Sequence, residues 1–211
     1  MRITTMTHPR LSVAVAAVAI AIAFTTTVCA RSDDATETIV IMRHGEKPVG
    51  GFGQLNCQGL NRALALPRVL GKLFGKPDAI FAPDPSRAVD DPAGRADYVR
   101  PLATIEPTAV TFQRPIVADI GFDDVAGLAA RLQQPAYRSS LVFVAWEHVK
   151  GEDVARSLLA ANGGDARSVP KWEHSDFDSL YVVKLAPSGA GRKASFTLMH
   201  EGLDGQSMTC P

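Results

Sequence analysis

Two histidines stand beside charged residues at the ends of apolar runs. Arg43-His44-Gly45-Glu46 follows Thr38–Met42, and Glu147-His148 follows Leu141–Trp146. A neutral imidazole is a competent nucleophile near neutral pH. An arginine fork matches phosphate oxygens two at a time, and phosphoryl transfer asks for little beyond in-line positioning and spread positive charge. His44, His148, Arg43 and a second arginine, Arg100, therefore suit attack on phosphorus. Zinc is the competing use of paired histidines. No His-x-x-x-His or Cys-x-x-Cys spacing occurs, so neither a metal nor another cofactor is expected.

These residues converge only if the elements before them are parallel neighbours in one sheet. Thr38–Met42 and Leu141–Trp146 are apolar and β-branched enough for buried strands, and Asp78–Ala82 reads as another. Between them the spacing predicts a helix from near Gln58, kinked or broken at Pro67 and closed by Gly75. A second helix begins at Arg100-Pro101 and is expected to end or kink at Pro107. A third starts after Asp123-Asp124, and a fourth covers about Glu152 to Ala161. Residues 83–98 read as a long loop, and loops of that length are often functional. Leu180–Leu185 and Ala194–Met199 read as late strands joined by the short link Pro187–Gly191. Alternating strands and helices give an α/β class: a three-layer α/β/α sandwich with a mostly parallel sheet and an antiparallel edge. Ligands bind such sheets beyond the carboxyl ends of the strands, where His44 and His148 fall.

The first thirty of the 211 residues differ from the rest. They hold Arg2, Arg10 and no acid, then an apolar run Leu11–Phe24 and small residues up to Ala30. This reads as a secretory signal peptide over 1–30, followed by a polar linker over 31–37 and one domain over 38–211. The run is shorter than the ~20 residues a membrane span needs, and Val28 before Cys29 disfavours a lipoprotein site. The expectation is an exported protein, periplasmic or secreted, with no stable membrane span after cleavage. The chain beyond residue 30 carries 20 basic against 22 acidic side chains, which speaks against nucleic-acid binding. Its two cysteines, Cys57 and Cys210, are expected to pair in an oxidising compartment.

In order along residues 38–160, the sequence resembles the histidine phosphatase superfamily, which has the phosphoglycerate-mutase-like fold. The strand with Arg43-His44-Gly45-Glu46 matches that family's hallmark. Leu55-Asn56-Cys57-Gln58-Gly59-Leu60-Asn61-Arg62-Ala63 resembles its next helix start. The stretch from Arg100 to Ala109 resembles its Arg-x-x-x-Thr-x-x-x-Ala helix, and Val142 to His148 resembles the strand carrying its second histidine. The resemblance implies that His44 takes the phosphoryl group of a small phosphorylated substrate. Arg43, Arg100 and His148 hold its oxygens, and water then hydrolyses the phosphohistidine. Gly45 fits a close approach of the backbone to phosphate, and Glu46 could position Arg43 or a substrate group.

A leaving alkoxide needs a proton, which a positioned carboxyl group would supply. Glu147, beside His148, is the first candidate, followed by Asp123, Asp124 and Glu106. If none is in reach, substrates with good leaving groups such as phosphohistidine or other phosphoramidates are favoured. The competing functions are a non-catalytic phosphate- or sugar-phosphate-binding domain on the same scaffold, and a mutase. The leader argues against the mutase, which works mainly on cytosolic metabolites.

Overall fold

In the computed structural model, Met1 and residues 36–211 are described. The expected leader and linker otherwise lie outside the described residues. Strand β1 (Glu37–Arg43) leads to helix α1 (Cys57–Leu73), β2 (Ala79–Phe81) and a hairpin of β3 (Val89–Asp91) and β4 (Gly94–Ala96). Helix α2 (Arg100–Phe112), β5 (Ile116–Val117), α3 (Val125–Leu132), β6 (Leu141–Trp146), α4 (His148–Ala161), β7 (Ser179–Ser188) and β8 (Gly191–His200) complete the order. Strand β1 starts one residue before the expected Thr38, and the Glu37 side chain is buried on Arg192, 2.6 Å away.

The main sheet has the order β5-β2-β6-β1-β7-β8. Strand β1 pairs with β6 in parallel, as do β2 with β6 and β2 with β5, while β7 runs antiparallel to β1 and β8 antiparallel to β7. Successive side chains of a strand point to opposite faces. Val40, Met42, Phe143 and Ala145 accordingly pack under α1 and α2. Ile39, Ile41, Val142, Val144 and Trp146 pack under α3 and α4. Three layers result, as the sequence pattern requires.

The prolines do not break the helices. α1 runs through Pro67 and α2 through Pro107, both with unbroken assignment. The buried face of α1 does not follow its leucines. Leu60, Leu64 and Leu73 are exposed, whereas Gly59, Arg62, Ala63, Leu66, Pro67 and Leu70 are buried. The expected long loop 83–98 contains the hairpin β3–β4, and the short β5 was not expected at all. No helix among the described residues is long and apolar enough to cross a membrane.

Arg62, fully buried, is the cost of that altered face and also its anchor. Its guanidinium reaches Glu46 (2.8 Å), Glu201 (2.7 Å), Asp204 (3.0 Å) and Asp178 (3.4 Å). The loop after β1, the start of α1 and the segment after β8 are thereby joined. The Cys57–Cys210 disulfide closes the same side, linking the first residue of α1 to the tail. Asn61 donates to the carbonyls of Ser207 and Thr209.

Two predictions follow from these ties. A covalent link between residues 153 positions apart restricts the unfolded chain strongly. Replacing both cysteines by serine is expected to lower the denaturant-unfolding free energy by about 2–5 kcal/mol, and an unchanged midpoint would contradict it. Burial, against the pull of Arg62, pushes the Glu201 carboxyl up to about 8. The folded state then holds this proton more tightly than the unfolded state, so stability should fall as pH rises from about 4.5 towards about 8. Thermal melts of Glu201→Gln should show a flatter slope over that window; an identical slope in variant and parent would refute the assignment.

Candidate active site

The parallel register pairs Arg43 with Trp146, and the His44 amide continues the ladder by donating to the Trp146 carbonyl at 3.0 Å. Both strands therefore end at one level. Arg43-His44 and Glu147-His148 leave the sheet side by side at its carboxyl edge. The loop after β1 is held from below. Gly45 N–H donates to Thr104 Oγ1 (2.9 Å), which itself donates to the Arg100 carbonyl (2.8 Å), so α2 starts beside the loop. A Cβ on Gly59 would lie 2.3 Å from the Glu46 carbonyl oxygen, so α1 begins flush against the same loop. Gly45 meets the reciprocal limit, 2.9 Å from the Gly59 oxygen. Its small size is required by the packing of α1 against this loop.

His44 is buried, and its Nδ1 lies 2.8 Å from the Gly45 carbonyl oxygen. A carbonyl only accepts, so Nδ1 carries the hydrogen and Nε2 keeps its lone pair. Burial, reinforced by Arg100 and Arg43, brings this imidazole down to about 3. It is therefore a neutral base across the physiological range. Tyr98 and Phe177 flank the ring at 6.0 and 6.2 Å between centroids.

The two arginines are fixed by opposite means. Arg43 donates through Nη1 to the carbonyls of His174 (2.7 Å) and Asp176 (2.8 Å) and lies over the Phe177 ring at 3.7 Å. Burial brings it down to about 10, which leaves it cationic. Arg100 forms a buried two-pronged pair with Asp91, Nη1–Oδ2 at 2.8 Å and Nη2–Oδ1 at 3.0 Å. Asp91 also accepts from Gly53 N–H (2.9 Å) and pairs with Lys47 (3.2 Å), and these partners outweigh burial and hold its carboxyl below the ordinary range. Gly51, at φ +79°, is constrained by the same contact: a Cβ there would sit 2.2 Å from the Asp91 carboxyl carbon. In both arginines Nε is buried without a protein partner.

His148 opens α4, and its Nε2 lies 2.8 Å from Nδ1 of His174. Its Nδ1 lies against the Glu147 carboxylate. Glu147 is the N-cap of α4 and accepts from Lys150 N–H at 2.8 Å. Burial raises its carboxyl, but the bonds from His148 and the helix start bring it down to about 2. It is held ionised, which corrects its expected place as general acid. Glu46 is likewise corrected: its oxygens are taken by Arg62 and not by Arg43 or an open substrate position. Asp124 caps α3 by accepting from Gly127 N–H. Asp123 is exposed in the loop before it, and Glu106 is exposed on α2.

Arg43, His44, Arg100, Glu147 and His148 are thus brought together. Asp91, His174 and Phe177 join them and were not singled out from the sequence. Asp91 ends β3 of the hairpin, and the Pro92-Ala93-Gly94 turn that follows it is the available sequence signal. His174 and Phe177 lie in an irregular stretch with no periodicity to place them. Among the described residues, no group of three or more His, Cys, Asp or Glu side chains could hold a metal ion.

With this geometry in hand, comparison with solved structures places the architecture. The SixA protein of Nakamurella multipartitia, assigned as a phosphohistidine phosphatase, superposes with a TM-score of 0.52 over 79% of this chain and 96% of its own, at 18% identity. The chain has the histidine phosphatase fold. A mycobacterial protein described as hydrolase 2 matches with a TM-score of 0.50 over 76% of this chain and 89% of its own, at 15% identity. No family model matches the sequence, and no curated protein matches it. The phosphoglycerate-mutase-like fold expected from the sequence is the fold observed.

Removing one partner of a buried ion pair leaves an uncompensated charge. Asp91→Ala is therefore expected to destabilise the protein by about 3 kcal/mol and free Arg100 from its fixed orientation. Denaturant titration checks the first effect; a loss below about 0.5 kcal/mol, typical of an exposed site, would contradict it.

Proposed function

We propose that the protein is an exported phosphatase that works through a phosphohistidine on His44. The observation that carries this reading is the state of His44: buried, neutral, with Nδ1 tied to the Gly45 carbonyl and Nε2 left as the reacting nitrogen. A nucleophile prepared in this way, between two arginines that each retain a buried N–H, fits attack on phosphorus. The similarity to an assigned phosphohistidine phosphatase adds support at the level of fold.

The sequence of events follows from the residues. The Nε N–H groups of Arg43 and Arg100 bind the transferred phosphoryl oxygens, with His148 closing the third side. The His44 Nε2 lone pair forms the N–P bond as the leaving oxygen departs with its bonding pair. The developing positive charge on the ring is offset by the Gly45 carbonyl and by the phosphoryl group itself. Water then attacks phosphorus, and the N–P electrons return to Nε2. The leader over residues 1–30, the Cys57–Cys210 disulfide and the near-neutral charge support action outside the cytoplasm on a small phosphorylated molecule. Phosphomonoesters and phosphoramidates are the substrate classes.

Protein comprising residues 31–211 should release phosphate from p-nitrophenyl phosphate and from a phosphoramidate between about pH 4 and 8. His44→Ala should reduce release to background. Because His44 stays neutral down to about 3, its protonation should not limit kcat/KM anywhere in that range. Absence of release from every substrate would instead favour a phosphate-binding domain without catalysis.

A further inference from the structure

We propose that His174 is the proton donor to the leaving group, a part of the reaction that rests on the phosphatase reading above. The carboxylates near His44 are committed elsewhere. Glu147 is held ionised by His148 and the start of α4, and Asp91 is locked in the Arg100 pair. Glu46 is spent on Arg62, and Asp176 Oδ1 accepts from the amides of Asp178 and Ser179. Glu147, the carboxylate adjoining His148, is held in the ionised form by its bonds and so has no proton to give.

His174 is tied into the site at both its backbone and its ring. Its carbonyl accepts from Arg43 Nη1 at 2.7 Å, and its ring meets His148 edge to face, 4.7 Å between centroids. The hydrogen positions follow from the chain of partners. The His148 Nδ1 lies against the Glu147 carboxylate, which can only accept. With the His148 hydrogen on that side, its Nε2 accepts from His174 Nδ1–H across 2.8 Å. The remaining nitrogen of His174, Nε2, belongs to a residue exposed at the rim of the site. A Glu147–His148–His174 series therefore ends in an imidazole with its second ring nitrogen at the exposed end of the chain of contacts. Imidazole is the side chain most often used for general acid catalysis.

The step balances as follows. His44 Nε2 forms the N–P bond, the P–O bond to the leaving group breaks with both electrons on oxygen, and that oxygen takes the proton from His174 Nε2. His174, now neutral, accepts a proton from the water that attacks the phosphohistidine. The N–P bond breaks, phosphate leaves, and His44 and His174 return to their starting states.

The test compares two leaving groups in residues 31–211 carrying His174→Asn or His174→Ala. Asparagine keeps a polar group against His148 but moves no proton at neutral pH, and both variants keep the backbone carbonyl that holds Arg43. Hydrolysis of glycerol 2-phosphate, whose alkoxide needs a proton, should fall by about 10²–10⁴ in kcat. Hydrolysis of p-nitrophenyl phosphate, whose leaving group needs none, should stay within a few-fold, which also shows that the variants are folded. Added imidazole should restore part of the glycerol 2-phosphate activity in His174→Ala. Equal losses on both substrates in both variants would make His174 a positioning residue and overturn the proposal. So would an unaffected rate on glycerol 2-phosphate, or a parent protein that cleaves only p-nitrophenyl phosphate. A parent protein that cleaves neither substrate would remove the phosphatase reading itself, and this inference with it.

Discussion

The hydrogen bond from the His44 amide to the Trp146 carbonyl sets the level at which two chain segments leave the sheet. Parallel pairing of β1 with β6 allows no tight turn between them, so the chain spends about a hundred residues returning to that register. Those residues build α1, the hairpin, α2 and α3. The outcome is that Arg43-His44 and Glu147-His148, far apart in sequence, emerge as neighbours. A slip of one residue in this pairing would turn His44 to the other side of the strand end. The alternating packing of Val40 and Met42 on one face and Ile39 and Ile41 on the other makes such a slip costly.

Around that edge the protein concentrates charge without letting it cancel at the nucleophile. Arg43 is satisfied by backbone carbonyls, and Arg100 by a carboxylate on its far side. Both press His44 towards its neutral form. Arg62 carries the opposite balance, one buried guanidinium among four carboxylates, and it holds the loop that bears the nucleophile. Glu46, three residues after Arg43, belongs to the Arg62 cluster and not to the pair of arginines beside His44.

The sheet and the four helices were legible because burial leaves periodic traces. Strand runs such as Ile39–Met42 and Val142–Trp146 are apolar on both faces, as a covered parallel sheet demands. The core pair of catalytic candidates was legible because it sits at strand ends. What escaped was set by contacts that local sequence does not encode. The buried face of α1 does not follow its leucines because a charged residue, Arg62, is buried there, held by Glu46, Asp178, Glu201 and Asp204 from distant parts of the chain. Pro67 and Pro107, expected to kink or end their helices, lie inside helices that continue through them. Asp91 looks like one acid among several in a loop, and its significance appears only when the hairpin brings it onto Arg100. His174 depends on an irregular segment folding back over Arg43.

The central claim is that His44 Nε2 carries the phosphoryl group during turnover. Rapid acid-free quenching of the protein during hydrolysis of a ³²P-labelled substrate, followed by peptide mapping, tests it most directly. The account predicts a label that is lost in acid, stable in base, located on the peptide containing His44 and absent from His44→Ala. Label on another residue, or labelling that persists in His44→Ala, would contradict it.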